Sequence, residues 1–229
     1  GLLMFNNEQL TIFEVMQEIY AKKCLLPPVH KVFEWNAEQI IKLFDSVMRW
    51  QAIGSFEFGR VNKKRVKEFR YYEFLLEHHQ PNEQRHYIEA NVFRSDEIIV
   101  VLDGQQRLNA LYIGILGSLA DETCSSKKLY LNLLAQQLYR ADKFEFKFLT
   151  EEEAGDNDEN HHWFKVENIL AMVSPSGILD YLASNLQNVE PESEKMEWAN
   201  INLSTLYGSL YLHTPISWSC FSNWPNGQT

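Results

Sequence analysis

Apolar positions along the chain follow helical spacing in some stretches and strand spacing in others. Residues 8–21 carry apolar side chains at helical spacing and predict a first helix. Asn36 is a good N-cap for a second amphipathic helix that ends before Gly54. Residues 25–29 contain two prolines and are expected to be extended, because residues before proline avoid helical angles. Residues 55–58 indicate a short strand.

The middle of the chain contains the clearest strand signal. Residues 98–102 are five consecutive β-branched or apolar residues, which predict a fully buried strand. An Asp-Gly pair ends this run, and residues 108–119 then carry apolar side chains at the spacing of a helix. Further strands are predicted at 129–133 and at 144–148, where apolar and polar residues alternate.

The last third of the chain reads as mostly helical. Residues 151–160 are acidic and polar and predict a loop, whereas 166–173 and 178–186 predict helices. Residues 187–197 fit either a linker or an exposed helix start. Residues 217–229 have neither helical nor strand period, so we expect an irregular tail that packs poorly.

These elements together predict an α+β fold. We expect one domain over residues 1–150, a helical extension of the same domain over 151–216, and the tail after it.

Composition and charge exclude several classes of protein. The chain has 229 residues, of which 45% are hydrophobic, so general disorder is excluded. The formal net charge of -10 argues against strong sequence-independent DNA binding. Three widely spaced cysteines form no disulfide or zinc pattern and fit a cytoplasmic protein. Glu8 and Glu14 interrupt the first apolar residues, and no apolar run reaches about 18 residues, so neither a signal peptide nor a membrane helix is expected.

Two other features have ordinary explanations. The basic stretch, residues 60–70, contains six Lys or Arg residues and is most simply a solvated surface, with a nucleic-acid patch as the alternative. The histidine pairs at 78–79 and 161–162 predict no metal site, because adjacent residues point to different sides of an element.

The segment Asp103-Gly104-Gln105-Gln106-Arg107 carries the chemistry. A strand, a glycine turn and a helix start form an anion site, because the first N–H groups of a helix lack internal partners. Gly104 lets a phosphate approach the backbone, and the Arg107 guanidinium suits phosphate oxygens. The two glutamines offer neutral donors and acceptors. Asp103 is the candidate to hold Mg²⁺ or to orient a water molecule. The alternative is an ordinary turn in which Asp103 is the helix N-cap.

Residues 100–108 also resemble a known family signature. The sequence Val-Val-Leu-Asp-Gly-Gln-Gln-Arg-Leu is similar to the signature of the N-terminal domain of GmrSD-type modification-dependent restriction proteins, within the ParB/sulfiredoxin-like superfamily. The resemblance extends over roughly residues 8–216. Other matching positions are Pro28, Phe33, Trp35, Leu43 to Ser46, Ile53-Gly54, Phe146 to Glu153 and Trp163 to Val166.

The resemblance implies a mixed sheet with flanking helices and one nucleotide site. Nucleoside triphosphate (NTP) with Mg²⁺ is the expected cofactor, and the motif around residue 31 is expected to approach the same spot as Arg107. It assigns nucleotide binding to Gly104, Gln105, Gln106, Arg107, His30, Lys31, Trp35 and Gly54, and catalysis to Asp103.

Two functions remain open at this point. The first is a nucleotide-binding regulatory domain, with or without NTP hydrolysis, in a modification-dependent DNA restriction or anti-phage system. The second is a degenerate, non-catalytic module that senses a nucleotide or DNA. The expected partners are an NTP, a separate or fused nuclease domain, and modified DNA. Direct nuclease action is the least favoured reading, because the chain shows no nuclease motif.

The chain departs from the family pattern in two places. His30-Lys31 stand where the family usually has Gln-Arg, which keeps a cation but loses the bidentate geometry of arginine. The sequence after Ile216 lacks the family's Phe-x-Arg-x-Asn segment, and the alternatives are a truncation, a frame change or a divergent natural terminus. Both departures favour the non-catalytic binding module.

Overall fold

The computed structural model describes residues 10–79, 87–137 and 143–225, and it confirms the predicted α+β class. Short 3-10 helices occur at Val66–Glu68 and Val166–Ala171. The α-helices are α1 (Ile12–Tyr20), α2 (Ala37–Met48), α3 (Gln105–Leu116), α4 (Glu151–Gly155), α5 (Ser176–Asn185) and α6 (Glu194–Tyr211). The strands are β1 (Cys24–Leu25), β2 (Ser55–Asn62), β3 (Glu77–His79), β4 (Glu97–Asp103), β5 (Ser118–Ala120), β6 (Ser126–Asn132), β7 (Phe146–Leu149), β8 (Trp163–Lys165) and β9 (Ser217–Phe221).

The strands form two mixed sheets. The first has the order β1-β4-β2-β9, with β4 parallel to β1, antiparallel to β2, and β9 parallel to β2. The second has the order β3-β5-β6-β7, and β8 also pairs with β6. Strand β4 is therefore interior to its sheet, as its continuous apolar sequence predicts.

Helix α3 lies at the centre of the molecule. All residues from Leu108 to Ile115 are buried, because this helix packs against α1, α2, β5 and β6. Gly114 leaves no room for a side chain, since a Cβ there would overlap the Phe44 ring. The polar first turn of α3 lies nearer the surface. The buried part of the helix holds this turn in a fixed position.

The C-terminal helices share the same core as the N-terminal ones. Helix α6 packs against α1, α2 and α5, and its Leu203, Leu206 and Leu210 belong to the main apolar cluster. A second, smaller cluster covers the other face of the first sheet and includes Val100 and Trp224.

Local sequence explains where the helices begin. Thr11 caps α1 through its hydroxyl, and Asn36 caps α2 in a reciprocal pair with Gln39, which confirms the predicted cap. Ser193 caps α6 at the same place where the sequence left open a linker or an exposed helix start.

Three predicted elements need correction. The helix predicted over 108–119 starts at Gln105 and ends at Leu116, because Gly117 stops it and β5 begins at the next residue. The predicted loop 151–160 starts with α4, which Thr150 and Glu153 stabilise by a reciprocal cap. The predicted helix 166–173 is a 3-10 helix that ends at Ala171.

The prediction of an irregular tail is wrong for residues 217–225. Residues 217–221 form β9, which is paired with β2 over five consecutive positions. Trp224 is 8% exposed, packs on Gly59, and donates its backbone N–H to the Arg60 carbonyl at 3.1 Å. This strand is stabilised by its pairing with β2, a contact between distant segments that the local sequence does not encode. Residues 226–229 lie outside the described part.

We predict that Trp224→Ala destabilises the protein by about 3–5 kcal/mol, because it removes a buried aromatic side chain. Urea unfolding followed by circular dichroism measures this change. Trp50→Ala is the matched control, since Trp50 is 58% exposed and should cost less than about 1.5 kcal/mol. Equal losses for the two variants would show that the segment after β9 does not stabilise the fold.

Candidate functional site

The predicted strand–turn–helix arrangement is present at the end of β4. Asp103 is the last residue of the strand, and Gly104 has a φ of +91°, which favours glycine. Gly104 itself is the N-cap of α3, and no side chain caps this helix. Asp103 therefore does not cap the helix, in contrast to the alternative of an ordinary Asp-capped turn.

The first turn of α3 exposes unpaired backbone donors. Leu108 N donates to Gly104 O at 3.0 Å, which is the first hydrogen bond of the helix. Among the described residues, no hydrogen bond uses the backbone N–H of Gln105, Gln106 or Arg107. Three donors at the positive end of a buried helix form a place that suits an anion.

The Arg107 guanidinium is partly committed to the protein itself. Its Nη1 donates to Ile53 O at 2.6 Å, and its Nη2 donates to Ser55 O at 2.9 Å. Its Cζ lies 4.4 Å from the centre of the Phe56 ring. A guanidinium has five N–H donors, so three remain for a ligand. Arg107 thus ties α3 to the start of β2.

Two glycines make this packing possible. Gly54 has a φ of +94°, and a Cβ at this position would overlap Arg107 Nη1. A Cβ on Gly104 would overlap the Phe56 ring on which the guanidinium rests. Gly54, predicted as a site residue, therefore acts by leaving room for Arg107.

Both glutamines of the motif bind other parts of the chain. Gln105 Nε2 donates to Val101 O at 2.9 Å. Gln106 Nε2 donates to Val32 O at 2.9 Å, and Gln106 Oε1 accepts from Glu34 N at 3.0 Å. The sequence predicted these side chains as ligand groups, but their observed partners are backbone atoms of the protein.

Residues 30–35, which we call the strap, lie beside the first turn of α3. His30 is half-buried, with its ring 5.0 Å from the Tyr72 ring and 4.5 Å from the Tyr87 ring. Its Nδ1–H donates to Pro27 O at 2.9 Å. Lys31 is exposed, whereas Trp35 packs partly against the main core. Of these three predicted residues, Lys31 is the one whose polar group faces solvent freely.

Tyr87 fixes the middle of the strap. Its hydroxyl accepts the backbone N–H of Phe33 at 2.7 Å. Burial raises the pKa of Tyr87, and the bond from Phe33 partly opposes this shift. The phenol stays protonated at neutral pH, so no negative charge arises here near an incoming anion.

Asp103 has an acidic neighbour that sequence reasoning missed. Glu57 on β2 is paired with Asp103 on β4, next to a bulge in the ladder, and both residues are exposed. The cross-strand register brings them together, and no local pattern signals it. Among the described residues, no group of three or more His, Cys, Asp or Glu side chains is arranged to hold a metal ion.

The basic stretch is largely neutralised by acidic partners. Four of its six cationic side chains form ion pairs, and a fifth, Lys67, has its Nζ 4.5 Å from the centre of the Phe93 ring. The ion pairs are Arg60–Glu97, Lys63–Asp96, Arg65–Glu68 and Arg70–Glu89. The interpretation as a solvated surface is therefore favoured over a nucleic-acid patch.

Two clefts lie away from the predicted site. One of about 400 Å³ is lined by Phe164 and Tyr181, and another of about 580 Å³ by His161 and His162. Neither contains a residue of the motif or of the strap. A phosphate bound at a helix start needs donors at the surface rather than a deep cavity, so these clefts do not displace the motif as the candidate site.

We predict that Gly54→Ala destabilises the protein by about 2–5 kcal/mol, from the strained φ and the overlap with Arg107. In the Arg107→Ala background the overlap disappears, and the same change should cost only about 1–2 kcal/mol. Chemical denaturation of the four proteins of this cycle measures both values. Gly155→Ala is the control, because nothing lies within 4 Å of a Cβ there. Equal costs in both backgrounds would contradict the described packing.

The family model described as the N-terminal domain of the GmrSD restriction endonuclease matches residues 12–211. A search of curated proteins finds no match. Among the described residues, no helix is both long and apolar enough to cross a membrane. The matched range contains all the predicted site residues, from His30 to Arg107, and it confirms the resemblance drawn from the sequence. The chain therefore belongs to the family of GmrSD restriction endonuclease N-terminal domains, which connects it with a restriction system.

Proposed function

We propose that this chain binds the phosphate groups of a nucleoside triphosphate at the first turn of α3. The observation that carries the proposal is the set of three unpaired N–H groups, on Gln105, Gln106 and Arg107, after a glycine N-cap. These donors converge at the positive end of a helix whose remaining turns are buried and rigid. A phosphate there would gain hydrogen bonds without any rearrangement of the backbone.

Two cationic side chains add to the backbone donors. Arg107 offers its three remaining N–H groups while the carbonyls of Ile53 and Ser55 hold it in place. Lys31 is exposed on the strap and supplies a mobile point charge. The backbone donors and Arg107 are preorganised, and Lys31 adapts to the ligand.

The residues present fit a magnesium ion that arrives with the nucleotide. Mg²⁺ is usually held by one or two carboxylates together with phosphate oxygens and water. Asp103 and Glu57 provide two exposed carboxylates at the end of β4. Bound there, the ion would neutralise phosphate charge. Asp103 would hold the ion, as the sequence suggested, and Glu57 would be the second protein ligand.

Binding without hydrolysis is the second candidate function. Lys31 stands where the family usually has arginine, which leaves one compact charge in place of a bidentate donor and favours binding without turnover. In either case, we propose that nucleotide occupancy regulates a nuclease domain, separate or fused, that acts on modified DNA. The description of the family, as the N-terminal domain of a restriction endonuclease, supports this partner.

We predict that the parent chain binds at least one of the four NTPs in the presence of Mg²⁺, and that Lys31→Met weakens this binding about ten-fold. A charge-assisted contact of about 1.5 kcal/mol gives this factor. Isothermal titration with each NTP measures it. Lys64→Met is the control, because Lys64 is an exposed lysine outside the site and should leave affinity unchanged. Absence of binding by the parent chain would refute the nucleotide site.

We further predict that Asp103→Asn lowers phosphate release more than nucleotide affinity. The amide keeps the size of the side chain but loses the charge that a magnesium ion requires. A coupled phosphate assay and a titration on the same preparation compare the two effects. If the parent chain binds NTP and releases no phosphate, the non-catalytic module is the correct reading.

A further inference from the structure

The strap is held in place by side chains from elsewhere in the fold. Among the described residues, no backbone-to-backbone hydrogen bond involves residues 30–35. Val32 O and Glu34 N are both bound by the Gln106 amide, at 2.9 and 3.0 Å. Phe33 N between them is bound by the Tyr87 hydroxyl. The amide of Gln106 therefore takes the place of a neighbouring β-strand.

The geometry of these bonds fixes the direction of the Gln106 amide. Its nitrogen faces a carbonyl and its oxygen faces an N–H group, so the side chain points to the strap. Lys31 directly precedes Val32 in the chain, so the position of its charge depends on where the strap is held. The neighbouring Gln105 binds Val101 O and makes no bond to the strap.

We propose that Gln106 is a positioning residue, which latches the strap to the first turn of α3 and influences phosphate binding only through Lys31. This proposal rests on the proposed function and assigns a different role to Gln106 from the ligand contact that the sequence suggested. Gln106 keeps its backbone N–H for the anion, while its side chain sets the place from which Lys31 approaches. Gln106 thus has two roles in this proposal: its side chain holds the strap, and its backbone N–H binds the anion.

A measurement without any ligand tests the latch. Gln106→Met has a similar length, introduces no charge, and removes both bonds to the strap. In amide hydrogen exchange on the free chain, the amides of Phe33 and Glu34 should exchange at least about five-fold faster in this variant, the factor expected from about 1 kcal/mol. Gln105→Met is the control and should leave these two amides as in the parent. Unchanged protection in Gln106→Met would overturn the proposal.

A double-mutant cycle tests the route through Lys31. In titrations with Mg²⁺ and the NTP that binds best, Gln106→Met should weaken binding about five-fold, and by no more than Lys31→Met does. In the Lys31→Met background, the same change should have less than a two-fold effect. Full additivity would show that the Gln106 side chain touches the nucleotide itself, which overturns the proposal.

The two measurements separate this proposal from the proposed function. If the parent chain binds no NTP, the nucleotide site and the route through Lys31 both fail, whereas hydrogen exchange still decides whether Gln106 latches the strap. If the parent chain binds NTP but exchange at Glu34 is unchanged in Gln106→Met, the nucleotide site stands and the latch is wrong.

Discussion

The contact between the Arg107 guanidinium and the carbonyls of Ile53 and Ser55 organises the region around the candidate site. The guanidinium rests on the Phe56 ring, and that ring occupies the space over Gly104. One charged side chain thus joins the start of β2, the turn after β4 and the first turn of α3. Because hydrogen bonds to charged groups are stronger than neutral ones, removing Arg107 would disturb the turn that presents the backbone donors.

The motif therefore combines two roles that a sequence cannot separate. The side chains of Gln105, Gln106 and Arg107 each bind backbone carbonyls of other segments, while their backbone N–H groups stay unpaired. In the proposed site, the side chains hold the turn in place and the main chain would recognise the anion. The binding geometry would then depend on the position of the helix, which the buried part of α3 fixes.

The sequence predicts the elements of this site better than the contacts between them. Five β-branched and apolar residues before Asp103 can hardly be anything but a buried strand, and Gly104 marks the turn. The partners of Gln106 and the register of Glu57 depend on which distant segments meet, and no local period encodes that. Edge strand β9 is not predicted because its stability comes from pairing with β2, which is distant in the sequence.

In the proposed site, the strap would combine affinity with adaptability. Donors fixed by α3 lose little entropy when an anion binds, whereas a segment held by a few side-chain bonds can still move at modest cost. Lysine suits such a segment, since a compact charge on a flexible stem tolerates small displacements that a bidentate arginine would not. His30, enclosed by Tyr72 and Tyr87, anchors one end of the strap, and Lys31 beside it is exposed. The fixed donors would thus set where the phosphate sits, and the strap would set how firmly it is held.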